Sequence, residues 1–174
     1  HHFFSMPPEA FHGKIPYIVS DLICELRRRQ WYKVEGIFRL NGSDKVIKEI
    51  VADIDKGPIA DWSKYPSVHD LAVTLKRYFR QMSEQEPITT HEAYECFVAA
   101  AETADQNLNI LQSLVNLMPK IRRTIFAYLC KFLADTAEHF AENKMTADNL
   151  SICFAPNLIC SPNVPAEDFQ NQSL

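Results

Sequence analysis

Apolar side chains recur along this chain at three- and four-residue intervals, separated by short polar connections. Ile15, Ile18, Val19, Leu22, Ile23 and Leu26 form the first stripe, which ends in Arg27-Arg28-Arg29, a basic run suited to the negative end of a helix. Val46, Ile47, Ile50, Val51 and Ile54 form the second, predicted to start at an N-capping Ser43 and to stop at the Lys56-Gly57-Pro58 turn. After a loop with Trp62, Tyr65 and Pro66, Ser67-Val68-His69-Asp70 has the form of a capping box with Asp in place of Glu. It opens a third helix with Val68, Leu71, Leu75, Tyr78, Phe79 and Met82 inward. Thr89-Thr90-His91-Glu92 is expected to cap a fourth helix through residue 102, and a fifth covers about 105–117. Pro119 occupies a helix-starting position before a long helix with Ile121, Ile125, Tyr128, Leu129, Phe132, Leu133 and Phe140 inward. Asn143-Lys144-Met145 is a connector; Thr146 then caps a last helix carrying Leu150, Cys153 and Phe154, which Pro156 ends or kinks. No segment sustains period-two alternation with hairpin turns, so the expected class is all-α. There is no internal repeat and no low-complexity linker.

One connection breaks the polar rule. Glu35-Gly36-Ile37-Phe38-Arg39-Leu40-Asn41-Gly42-Ser43 places an arginine among three apolar side chains, just before a strong helix start. Ile37, Phe38 and Leu40 read as anchors that pin the loop to the core, which would hold Arg39 outward. Asn41-Gly42 reads as a turn and keeps the loop short.

Composition narrows the possibilities. With 174 residues and 47% hydrophobic content, the chain suits one globular domain that buries roughly two thirds of its unfolded surface. A net charge of −4 argues against a general nucleic-acid binder. The charge is unevenly spread: residues 1–80 carry 13 Lys+Arg and 10 Asp+Glu, residues 81–174 carry 5 and 12, so the first half can present a basic face to an acidic partner or a phosphate. Cys24, Cys96, Cys130, Cys153 and Cys160 are odd in number, widely spaced and without a Cys-x-x-Cys pair, the pattern of reduced thiols in an intracellular protein. No signal peptide is evident, and no apolar run approaches the ~20 residues of a membrane span. His1 and His2 read as a tag remnant.

Familiar catalytic motifs do not fit. Between Gly36 and Gly42 there are five residues and no Gly-Lys precedes Ser43, so the loop is not the usual phosphate-binding turn. His91-Glu92-Ala93-Tyr94-Glu95 lacks the second histidine of a zinc-protease helix. His69 and Asp70 are sequence neighbours rather than a relay, and no Gly-x-Ser-x-Gly is present. What remains is basic: Lys76 and Arg80 stand one turn apart on the third helix, with Arg77 beside them. Either Glu84 and Glu86 compensate these charges, or an anionic partner does.

An arginine presented by a helical domain with no active site of its own suits a protein that lends a side chain to another enzyme. At this point the chain resembles the RhoGAP domain, the activating module for Rho-family small GTPases. The resemblance rests on Glu35-Gly36-Ile37-Phe38-Arg39 with Gly42-Ser43; on His69-Asp70 through Leu75-Lys76-Arg77-Tyr78-Phe79-Arg80; on Asn143-Lys144-Met145-Thr146 through Asn149-Leu150, ending Phe154-Ala155-Pro156-Asn157-Leu158; and on Ile15-Pro16 followed by Ile18-Val19. Three blocks in the right order make it specific.

The resemblance implies a single RhoGAP domain over residues 3–174, a helical bundle of about seven or more helices. Arg39 matches the arginine finger, which neutralises charge on the transferring phosphoryl group in the partner's site. Lys76 matches a lysine that contacts the partner, and Arg80 an arginine that braces the finger loop. Asn157 matches an asparagine that hydrogen-bonds near the partner's switch region; it also has the look of a C-terminal helix cap. The implied partner is a Rho, Rac or Cdc42 type GTPase, to which GTP and Mg belong; no cofactor of the domain's own is implied. The domain would act as a cytoplasmic monomer, recruited to membranes through segments outside this chain. Where the family usually continues Leu-Pro-x-Pro-Leu, this chain has Met82-Ser83-Glu84-Gln85-Glu86-Pro87-Ile88, and it stops soon after Pro162, where the family continues into a final helix. Two functions stay open, a GTPase activator and a non-catalytic GTPase-binding module; Arg39 favours the first.

Overall fold

The computed structural model describes residues 2–103, 105 and 108–163. Within them the chain forms eight α-helices and no strand: α1 Tyr17–Arg28, α2 Asp44–Ile54, α3 Val68–Ser83, α4 Tyr94–Glu102, α5 Leu108–Leu117, α6 Lys120–Glu138, α7 Phe140–Asn143 and α8 Ala147–Leu158. Short 3₁₀ turns at Phe3–Ser5, Pro8–Phe11 and Trp31–Lys33 complete it. The all-α expectation holds, and the stripes of α1, α2, α3 and α6 supply the core as their spacing demands.

α3 is the central element, packed against α1, α2 and α8. Its Leu71, Ala72, Leu75, Tyr78 and Phe79 are fully buried, as are Ile125, Leu129 and Phe132 of α6 and Phe154 of α8. Because Phe132 also stacks on Trp31 at 4.9 Å, and the Trp31 indole donates to Thr136 Oγ1 at 2.8 Å, the turn after α1 is fixed to α6. α5, by contrast, buries none of its side chains.

Several predicted boundaries are corrected. Ser67 precedes α3 without a side-chain cap bond, and the carboxylate of Asp70 reaches another helix instead, so no capping box forms. Thr89 through Glu92 do not cap α4. Thr89 is buried, and its hydroxyl donates to the Leu158 carbonyl at 2.8 Å; α4 starts later, after an uncapped Ala93. Pro119 stands at the N-cap of α6, one residue before the helix proper. That helix ends at Glu138, and Phe140, expected inward, opens α7 with 57% of its surface exposed. Pro156 lies inside α8, which continues to Leu158. Residues 106 and 107 of the predicted fifth helix, His1 of the suggested tag, and everything after residue 163 lie outside the described residues.

The unusual 82–88 stretch is held by Arg122 of α6, which is 5% exposed. Its guanidinium donates to the Pro87 carbonyl at 2.8 Å and to the Glu86 carbonyl at 3.3 Å, and on its other side to Glu9 at 2.7 Å. The Glu86 carboxylate faces the His91 amide and ring, so it does not compensate the basic residues of α3. Arg77 instead lies 3.7 Å from Asp44 at the start of α2.

Candidate functional site

The connection between α1 and α2 turns sharply at Gly36–Leu40. The amides of Arg39 and Leu40 both donate to the Gly36 carbonyl at 2.9 Å. The turn therefore falls before Asn41-Gly42, where the sequence suggested it. Within Gly36–Leu40 two residues adopt left-handed backbone: Gly36 at φ 70° and Phe38 at φ 68°. Glycine suits the first because φ 70° strains any residue with a Cβ, and a Cβ there would also stand 2.7 Å from Leu40 Cγ and displace that side chain. For Phe38 the conformation costs on the order of 1–2 kcal/mol, and core packing offsets it. Its ring meets Phe132 at 5.8 Å and Phe154 at 5.1 Å, edge to face.

Ile37 and Phe38 are both 0% exposed, so two consecutive side chains enter the core and the third, Arg39, is turned out into solvent. Leu40 is not the third anchor that the sequence suggested: it is 44% exposed, its side chain folded over Gly36.

Three hydrogen bonds mount this loop on the bundle. Upstream, the Gly36 amide donates to the Asn143 carbonyl at 2.8 Å. Asn143 is itself fully buried, its side chain donating to the Thr136 carbonyl and accepting from the Met145 amide, both at 2.8 Å. At the crest, the Lys76 ammonium donates to the Phe38 carbonyl at 2.7 Å. Downstream, the Ser43 amide donates to Asp70 Oδ1 at 2.7 Å, and Ser43 caps α2 by accepting from the Val46 amide. Sequence reading missed Asp70 and the carbonyl of Asn143. Sequence alone places Asn143 only in a connector and in the third block of the resemblance.

α8 brings the remaining candidates alongside. α8 packs against α3, and Cys153 lies near enough to Lys76 and Arg39 to feel their charges. Asn157 is half-buried in the last turn of α8, and the C-cap is Ile159, so the cap reading of Asn157 does not apply. Lys76, and not Arg80, makes the bond to the arginine loop. Arg80 is exposed at the end of α3.

Electrostatically the site is one-sided. Among the described residues no carboxylate lies within ion-pair distance of Arg39, Lys76 or Arg80. Burial pushes the Lys76 ammonium below the ordinary lysine range, with Cys153 opposing. Burial likewise pushes the Cys153 thiol up, against the pull of Lys76 and Arg39. Such an uncompensated set of donors is suited to an anionic group brought from outside.

A description of the RhoGAP domain family matches residues 16–163. Rho GTPase-activating protein gacY of Dictyostelium discoideum is 35% identical over 150 residues, covering 84% of this chain and 20% of its own length. The gacJJ protein of the same organism is 34% identical over 161 residues, covering 90% of this chain and 18% of its own. The chain thus spans about a fifth of the length of these curated relatives. Among solved structures, human Rho GTPase activating protein 15 superposes with a TM-score of 0.79 at 22% identity, over 91% of this chain and 76% of that one. The BH domain of GRAF, the GTPase regulator associated with focal adhesion kinase, superposes with a TM-score of 0.73 at 23% identity, over 90% and 85%. These two likenesses establish the fold. The family match over residues 16–163 shows that the chain belongs to the RhoGAP domain family.

Proposed function

We propose that this domain binds the GTP-loaded form of a Rho-family small GTPase and accelerates its hydrolysis of GTP by inserting Arg39 in trans. The observation that carries the reading is the contrast within three consecutive residues: Ile37 and Phe38 are fully buried, while Arg39 is exposed and, among the described residues, has no carboxylate within ion-pair distance. An arginine held that way has lost much of its freedom before it meets a partner, so little ordering cost is left for the complex. In the partner's site it would neutralise charge on the γ-phosphoryl oxygens. Fingers of this kind are worth about 10³–10⁵ in rate, or roughly 4–7 kcal/mol.

Lys76 holds the finger's crest through the Phe38 carbonyl, while Arg80 and Asn157 form the surface that meets the partner. The domain supplies no reacting group besides the arginine; GTP and Mg belong to the GTPase. It acts as a cytoplasmic monomer, and segments elsewhere in a longer protein would set membrane recruitment. No helix among the described residues is long and apolar enough to cross a membrane.

The test is single-turnover GTP hydrolysis by purified Rho, Rac and Cdc42 type GTPases, with and without the domain. Acceleration of at least one, saturating with domain concentration, is the expected result. Saturable binding without acceleration of any would make this a non-catalytic GTPase-binding module.

A further inference from the structure

Asp70 is 5% exposed, yet no cation among the described residues pairs with its carboxylate. Its contacts go to the arginine loop. Oδ1 accepts from the Ser43 amide at 2.7 Å, and the loop packs so tightly there that a Cβ on Gly42 would stand 2.4 Å from Oδ1 and 3.1 Å from the Asp70 Cα. Ser43 caps α2 and Asp70 lies in the first turn of α3, so the carboxylate sits at the positive ends of two helices. In an ordinary capping box a Glu at the third helical position would take the N-cap amide. In α2 that position is Val46, which has no acceptor, and Asp70 serves from the neighbouring helix. A buried carboxylate is an expensive way to satisfy one amide. What it adds is a second attachment of the loop to α3: Lys76 holds the Phe38 carbonyl and Asp70 the Ser43 amide, six residues or about 9 Å apart on one rigid helix.

We propose that Asp70 is a positioning residue for Arg39, fixing the downstream end of the finger loop to the helix that also holds its crest. This role rests on the function proposed above. With Asp70 replaced, the segment from Arg39 to Ser43 keeps its upstream bonds but loses the fixed end, and the guanidinium spreads over several placements. Misplacement of a reacting group by about 1 Å is enough to cost up to a hundredfold in rate.

The experiment is a double-mutant cycle in single-turnover hydrolysis, using the Rho-family GTPase that the wild-type domain accelerates most. Asp70→Ala is expected to lower the saturating rate on the order of tenfold, with the half-maximal domain concentration changed less than about twofold. Asp70→Asn, which keeps an oxygen for the Ser43 amide, is expected to restore most of that rate. In an Arg39→Ala background, Asp70→Ala should have no further effect, because no finger remains to be positioned. The same fold-loss with and without Arg39, an unchanged saturating rate, or a loss confined to the half-maximal concentration would overturn the proposal. Asp70→Ser replaces the alanine variant if that does not fold; failure of both to fold beside a folded Asp70→Asn would reduce Asp70 to a structural cap. A wild-type domain that accelerates nothing overturns the proposed function itself, and is recognised before any Asp70 variant is made.

Discussion

Lys76 makes a contact within the domain that the resemblance does not imply. The resemblance casts it as a partner contact, but its ammonium lies 2.7 Å from the Phe38 carbonyl, under the left-handed residue that turns Arg39 outward. Lys76→Ala should therefore lower the saturating rate of GTP hydrolysis by roughly tenfold through a loosened finger, and leave the half-maximal concentration nearly unchanged. A raised half-maximal concentration with a normal saturating rate would return Lys76 to the partner surface. Gly36 makes a companion case. Alanine there meets the side chain of Leu40, which is free to swing outward, but it must still adopt φ 70°. Gly36→Ala is expected to cost about 1 kcal/mol of stability by thermal denaturation, with a larger loss of saturating rate than that stability change explains. A normal rate would mean that the loop finds Arg39's place without its glycine. Sequence alone marked Arg39 because an arginine between buried neighbours is chemically conspicuous. It marked Gly36 and Asp70 only as members of larger blocks; their bonds to Asn143 and Ser43 depend on what another segment brings within 3 Å.

Among the elements, helix stripes were legible and helix ends were not. Burial at three- and four-residue spacing acts along one element, so α1, α2, α3 and α6 follow from their own residues. Caps depend on competition between segments: Asp70 answers Ser43 rather than Ser67, and Thr89 answers Leu158 rather than α4. The same holds for the C-terminal part of α2. Asp53 accepts from Lys56 at 2.9 Å, from Lys64, and from the Tyr65 hydroxyl at 2.6 Å, tying the helix to the 62–65 loop. Those hydrogen bonds, led by Lys56, hold its carboxyl well below the usual carboxylate range. The unfolded chain thus takes up the proton first as pH falls. The stabilisation from Asp53 is fully present above about pH 4 and is lost below it. The Tm gap between wild type and Asp53→Asn should accordingly be constant above about pH 5 and shrink steadily as pH falls below about 4; a gap that persists unchanged at the acid end would remove Asp53 from this role.

At the scale of the whole molecule, the family match begins at residue 16, but the folded unit begins earlier. Phe4 is 2% exposed and meets Tyr78 of α3 edge to face at 5.5 Å, and Glu9 reaches Arg122 of α6. These contacts brace the α3 that carries both Asp70 and Lys76, and they hold the 82–88 stretch whose acidic sequence left its geometry open. Phe4→Ala should cost about 3–5 kcal/mol, lowering Tm on the order of 10 °C; a shift of only a degree or two would show that the N-terminal segment is an accessory to the fold. The global architecture was readable from the sequence because three ordered blocks and a consistent helical period agree. The packing of α8 against α3 was not, because no local pattern encodes it. The central claim is that Arg39 acts on the partner's phosphoryl group and does not merely help the domain dock. It is tested most directly by single-turnover GTP hydrolysis at saturating Arg39→Ala domain, beside binding of the same variant to the GTP-loaded GTPase. Loss of a factor of about 10³ or more in rate with GTP-state binding nearly intact is the predicted result. A variant that accelerates hydrolysis as the wild type does would contradict the account.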